Sequence, residues 1–173
     1  MKPERLSRTV VHENPWVNLY VDRVKFPNGH IVERHHLLDF DRHAVVVVAD
    51  DGAGRVLFVR VCRYATGSSD WELPAGGIEA GESALSAAQR EALEETGYHT
   101  ICHEQVYCYY PMTGIANKKI YIIHCRAVER VQDFDKNEVD EVRWFSREEI
   151  EQMVRDKVVT CGLSLTALLL YLK

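Results

Sequence analysis

The stretch Gly76-Gly77-Ile78-Glu79-Ala80-Gly81-Glu82, continued by Arg90-Glu91-Ala92-Leu93-Glu94-Glu95-Thr96-Gly97-Tyr98, constrains this chain more than any other. Between its two halves the residues predict a helix from about Ser83 to Thr96. Ser83 can cap it, alanines fill its interior, and Gly97 sits where a helix-ending glycine belongs. At 100° per residue, Glu91, Glu94 and Glu95 share an arc of about 100°. Leu85, Ala88, Ala92 and Leu93 fall on the opposite side and are expected to face the core. Ala84 and Ala87 lie on the acidic side, where small residues would leave room for a ligand. Three carboxylates in one turn repel one another, and a divalent cation would remove that conflict. Oxygen donors of this kind suit Mg²⁺ or Mn²⁺. A solvated acidic face on a surface helix is the other reading. Glycines at 76, 77 and 81 allow close approach of the loop to a ligand. Glu82 adds a carboxylate just before the helix, and Arg90 beside the arc can brace the loop or offset its charge.

A chain of 173 residues suits one domain, and 46% hydrophobic with 27% charged residues is ordinary globular composition. A net charge of −5 argues against a nucleic-acid partner but not against a small phosphorylated substrate. The five cysteines form no CxxC pair, which disfavours a disulfide framework or a zinc site and points to reduced thiols in the cytoplasm. MKPERLSRTV has no apolar core for a secretory signal. Leu163–Leu172 is half the length of a membrane span and reads as a buried C-terminal helix, so no membrane partner is expected.

Residues 1–40 look like a β-rich lead-in, with Pro27-Asn28-Gly29 turning between the extended runs Val17–Phe26 and Ile31–Leu38. Ala44–Ala49 is continuously apolar, as in a strand buried on both faces. Gly52-Ala53-Gly54 joins it to a strand over Arg55–Cys62 and reads as a hairpin turn, since it opens no helix. A loop over Thr66–Gly81 holds a short strand around Trp71-Glu72-Leu73. Further strands are expected near Gln105–Tyr110, Lys119–Cys125 and Glu141–Phe145, and Ser146-Arg147-Glu148-Glu149 is a capping box. Strands and helices outside strict βαβ order indicate an α+β fold.

The spacing Gly76, five residues, Glu82, seven residues, Arg90-Glu91-Ala92-x-Glu94-Glu95-x-Gly97-Tyr98 resembles a complete Nudix box. That resemblance implies an αβα sandwich around a mixed sheet and metal bound by Glu91 and Glu95, aided by Glu94 and the carbonyl of Ala75. Hydrolysis of a diphosphate needs neutralised phosphates and a water in line with the leaving oxygen. Glu94, Glu95 and Arg90 are the box residues expected to serve catalysis. A glutamate outside the box activates the water in many similar enzymes; Glu138, in the polar loop Asp133–Glu141, is the first candidate and Glu141 the second.

Val56–Tyr64, Trp71–Gly77, the β-rich lead-in and Asp140–Ile150 widen the resemblance to the ADP-ribose and nucleotide-sugar pyrophosphatase branch. It implies Arg63 on the diphosphate and Glu72 positioning substrate, with Gly76 and Gly77 beside it; a surface ion pair and a strand-edge carboxylate are the plainer readings. It also implies a homodimer, built through residues 1–40 as a dimerisation segment beside a hydrolase domain over 41–173. Two positions depart from the pattern. Val61-Cys62 stands where relatives often carry Gln-Tyr, and Thr113 precedes Gly114 where ADP-ribose enzymes often have proline. Both point away from ADP-ribose in particular and leave the diphosphate chemistry untouched. A dinucleotide, triphosphate or oxidised-nucleotide hydrolase, or a non-catalytic sensor, are the alternatives.

Overall fold

The computed structural model describes Met1–Lys173, which separate into two compact units. The first comprises Met1–His43 with Tyr110–Lys119. Its antiparallel sheet runs β1 (Glu4–His12), β2 (Asn18–Lys25), β3 (Ile31–Asp39) in that order. The expected turn joins β2 to β3: Gly29 has φ +87°, a conformation open to glycine, and its amide donates to the Phe26 carbonyl at 2.9 Å. Across β1 and β2, Arg8 makes a bidentate pair with Asp22, both bonds 2.8 Å, while its guanidinium stacks 4.0 Å from the Tyr20 ring. Residues 110–119 join this unit through Leu38 N–H to Ile115 O and Phe40 N–H to the Asn117 side chain, each 2.7 Å. Strand β1 is solvent-exposed along nearly all its length, so its sequence carries no inward alternation by which to recognise it.

The second unit, Ala44–Tyr109 with Ile120–Lys173, is built on a mixed sheet. Its strands are β4 (Ala44–Asp50), β5 (Val56–Arg63), β6 (Ser68–Glu72), β7 (Ala75–Gly77), β8 (Tyr98–Tyr109), β9 (Ile120–Arg130) and β10 (Glu141–Phe145). The main order is β10-β5-β4-β9-β8, with β6 on β5 and β7 on β4; β4 and β9 are parallel. Every residue of β4 is buried, as its unbroken apolar run predicts. Its alternate side chains serve two cores. Val45, Val47 and Ala49 pack with Ala87, Ala88 and Ala92 of α1 (Ala84–Thr96). Ala44, Val46 and Val48 pack with Ile150 of α2 (Arg147–Arg155) and with Ala167 and Leu168 of α3 (Gly162–Tyr171). The result is an α+β, αβα sandwich with helices on both faces of a mixed sheet.

Strands β8 and β9 run longer than the apolar segments suggest, because β-bulges interrupt the alternation that marks a strand. The C-terminal helix α3 is an outer layer rather than a wholly buried helix. Ser164, Ala167 and Leu168 face the sheet, and Leu169 is 49% exposed. Replacing fully buried Leu168 by alanine should cost about 2–5 kcal/mol in urea denaturation. The neighbouring Leu169→Ala change should stay within about 0.5 kcal/mol.

Candidate active site

Helix α1 begins where Ser83 Oγ accepts the Ser86 amide at 3.1 Å, and it ends at Gly97, φ +77°, whose amide caps Leu93 O at 2.8 Å. A Cβ at position 97 would collide with the Gln132 carbonyl, so glycine is required there on two counts. The buried stripe is Ala87, Ala88, Glu91, Ala92, Glu95 and Thr96. This differs from the amphipathic reading. Leu85, expected in the core, is exposed, and Ala87, expected to leave room for a ligand, is fully buried. Small alanines bring the helix close to the sheet, and that approach carries Glu91 and Glu95 inward with them. The carboxylates therefore flank the core face.

Glu91 is 8% and Glu95 6% exposed. The Ala75 amide donates to Glu95 Oε2 at 2.9 Å. Gly76 lies against Glu91 so closely that any Cβ would overlap its carboxylate. Burial raises the pKa of both groups, and the like charge of Glu138 adds to it in each case; Glu95 is pushed up to about 8.

Arg90 ties the loop to the helix. Its Nε and Nη2 donate to the two Glu82 oxygens at 3.1 and 2.9 Å, and Nη2 also reaches Gly77 O at 2.8 Å. Its Nη1 donates to Glu91 Oε1 at 2.8 Å and Glu94 Oε2 at 3.1 Å. Both roles foreseen for this residue, brace and charge offset, are thus present in one guanidinium. Glu94 itself is half-exposed and faces Arg90 rather than the buried pair. Gly77 contributes its carbonyl, and a side chain there would meet open space.

The loop bearing Glu138 is held to the C-terminal end of α1. Asp135 N–H donates to Glu94 O at 2.8 Å and Val131 N–H to Gly97 O at 2.9 Å. Glu138 is exposed yet near enough to perturb both buried glutamates electrostatically. Glu141 instead approaches Arg60 at 3.9 Å across β10 and β5.

Beside this cluster opens a cavity of about 680 Å³. Ala75 and Gly76 form its boundary with the carboxylates, and Arg63 and Glu72 line it. Arg63 Nε and Nη2 grip Glu72 Oε1 and Oε2 at 3.0 and 2.8 Å, so the ion pair and the pocket position coexist. Glu72 is 4% exposed, whereas the Arg63 side chain remains open to the cavity. The field of Arg63 reaches Glu95 and lowers its pKa, opposing burial. Ser68 and Asp70 line the same space, as alternate residues of β6 must when Glu72 does. The far wall comes from Thr160, Cys161 and Leu163. Alternation could have found Ser68 and Asp70; no local signal marks residues 160–163, which are distant in sequence.

No three His, Cys, Asp or Glu side chains converge into a ready-made metal cage. The buried pair Glu91 and Glu95, with the adjoining main chain at Ala75, nevertheless offers hard oxygen donors whose mutual repulsion a divalent cation would relieve. These residues fit such an ion when phosphate oxygens and water complete its shell.

Residues 40–161 match the NUDIX domain. The chain belongs to the Nudix family. It is a hydrolase of pyrophosphate bonds, and residues 4–37 match the nucleoside diphosphate sugar hydrolase N-terminal domain. It is 31% identical to a CMP-5'-(N-acetyl-N-hydroxy-3-aminopropyl)phosphonate hydrolase of Streptomyces rubellomurinus, over 88% of this chain and 74% of the relative. It is 25% identical to an ADP-ribose pyrophosphatase of Bacillus subtilis, over 92% of this chain and 86% of the relative. The crystal structure of an ADP compounds hydrolase shares the fold, with a TM-score of 0.87 and 20% identity over 99% of this chain and 92% of that one.

This Nudix helix should leave a signature in stability. Glu95 binds its proton more tightly folded, near pH 8, than unfolded, near its ordinary 4.5. The native state then holds more protons between those values, and stability of the metal-free protein falls as pH rises through that window. Glu95→Gln imitates the protonated form. In chelator, its melting temperature relative to the unmodified protein should climb from pH 5 to pH 8; a constant difference would contradict the burial argument.

Proposed function

We propose that this Nudix hydrolase cleaves a nucleoside diphosphate linked to a sugar, with ADP-ribose the leading single substrate, into a nucleoside monophosphate and a sugar phosphate. The observation that carries the reading is the junction at Ala75–Gly76, where a buried carboxylate pair meets a cavity that also contains Arg63. A diphosphate lying across that junction would have a guanidinium on one side and the Glu91–Glu95 pair on the other. The match of residues 4–37 and the names of the Bacillus subtilis and Streptomyces relatives support a nucleotide with a further group attached.

In this reading Glu91 and Glu95, aided by Glu94 and the Ala75 carbonyl, hold Mg²⁺ or Mn²⁺. The bound ion supplies charge neutralisation on the phosphates and lowers the pKa of a bound water. Arg63 orients the diphosphate, and Glu72 fixes the direction of that guanidinium through its two-point contact. Glu138 accepts the proton of the attacking water, its loop kept over the site by the Asp135 and Val131 contacts to α1. Arg90 holds the glycine loop against the helix, so the carboxylates and the cavity keep their spacing. The exposed β1 strand supports a homodimer assembled through residues 1–40, and the free cysteines fit a reducing cytoplasm.

The test is hydrolysis of ADP-ribose, other nucleotide sugars, dinucleotides and nucleoside triphosphates, with and without Mg²⁺ or Mn²⁺. Nucleotide sugars should lead, and chelator should abolish turnover. Glu95→Gln should lower kcat by orders of magnitude, and Glu138→Gln by about 10²–10⁴-fold. Metal-independent turnover would overturn the mechanism, while faster triphosphate hydrolysis would overturn the substrate. An unchanged kcat in Glu138→Gln would shift the base to another loop residue.

A further inference from the structure

The cavity contains a carboxylate that the diphosphate chemistry does not use. Asp70 stands on the same face of β6 as Ser68 and Glu72, and it lines the cavity opposite no lysine or second arginine. Arg63 is the single cation among the lining residues, and two of its nitrogens already grip Glu72. Thr66, Ser68, Thr160 and Cys161 complete the polar lining. Thr160 Oγ1 donates to Asp70 Oδ2 at 2.8 Å, which fixes the carboxylate plane and leaves Oδ1 for an incoming group. Thr160 is itself held in place by its neighbours: four residues on, Ser164 Oγ accepts the buried Leu73 amide at 2.9 Å. Thr160 just before α3 and Ser164 in its first turn are thereby fastened to Asp70 of β6 and to Leu73, the residue that follows β6.

We propose that Asp70 is a specificity-determining residue, accepting a hydroxyl of the uncharged group attached to the diphosphate and repelling a terminal phosphate in the same place. The inference rests on the nucleotide-sugar reading and adds the device that rejects triphosphates. An aspartate carboxylate whose one oxygen is held by a hydroxyl donor presents its other oxygen as an acceptor, so it suits a sugar hydroxyl. A third phosphate would bring like charge against Asp70, with Arg63 the one cation among the lining residues to offset it. Thr160 is a positioning residue, acting through the orientation of Asp70.

The experiment measures kcat/KM for ADP-ribose and for ATP in the full-length protein and in Asp70→Asn, with melting temperature as a control for folding. Asparagine keeps an acceptor and removes the charge. The ADP-ribose to ATP preference should narrow by about tenfold or more, chiefly through a lower KM for ATP. Thr160→Val should narrow it less, and Thr160→Ser should restore it. A variant with unaltered folding and an unaltered ratio would overturn the inference while the nucleotide-sugar reading stood. If Asp70→Asn does not fold, the Thr160 pair decides: an unchanged ratio in Thr160→Val overturns it. Preference for ATP by the unmodified protein would overturn both, the substrate reading on the panel alone.

Discussion

Two carboxylates buried beside each other on one helix are the constraint around which the second unit is organised. Glu91 and Glu95 occupy the stripe that Ala87, Ala88 and Ala92 carry into the core, and in the absence of a cation both have raised pKa values from desolvation. Such a pair lowers stability unless each charge finds compensation. Arg90 supplies part of it to Glu91, and the Ala75 amide supplies one hydrogen bond to Glu95. Both compensations demand that the glycine loop lie close against α1. That demand explains glycine at position 76, where any side chain would displace Glu91. It also explains the Arg90 contacts to Glu82 and Gly77, which hold the loop down.

The helix was legible because its signals are local. Its serine cap, its αL glycine and the spacing of its glutamates all lie within one short stretch, and β4 announces itself by an unbroken apolar run buried on both faces. Which side of α1 faces inward was less legible. Periodicity placed Leu85 in the core with Ala88 and Ala92; those two alanines are there, but Ala87 joins them in place of Leu85, because alanine allows a closer helix–sheet approach than leucine does. Hydrophobicity alone ranks leucine first, and distance of approach is a tertiary property.

Arg63, Glu72 and Gly76 were expected at the substrate and line the pocket, and alternation along β6 extends that set. Once Glu72 points into the cavity, alternation requires Asp70 and Ser68 to do the same. Its opposite wall follows from contacts between residues 90 and 91 positions apart, Thr160 with Asp70 and Ser164 with Leu73. Nothing near Thr160 in sequence announces that partnership. The same holds for Glu138, whose nearness to the glutamates depends on Gly97 accepting the chain as it returns from β9. A polar loop read alone is only a loop; its anchor points give it a direction.

These long-range ties connect the stability of the outer layer to the geometry of the site. Helix α3 contributes Ala167 and Leu168 to the core on the face of the sheet away from α1. The segment leading into it carries Thr160 and Cys161 to the cavity, and the first turn of α3 carries Ser164 to Leu73, just after β6. Closing so long a stretch of chain is entropically costly, and a single hydrogen bond to Leu73 or Asp70 would not offset it. Burial of Ala167 and Leu168 provides the larger compensation, since apolar area removed from water is worth about 25 cal/mol per Å². The polar contacts then set position rather than stability. Loosening α3 would therefore open the cavity on the Thr160 side before it disturbed Glu91 and Glu95, which depend on α1 and β7. Hydrophobic packing on one face of the sheet thus shapes the cavity, and packing on the other face carries the carboxylates.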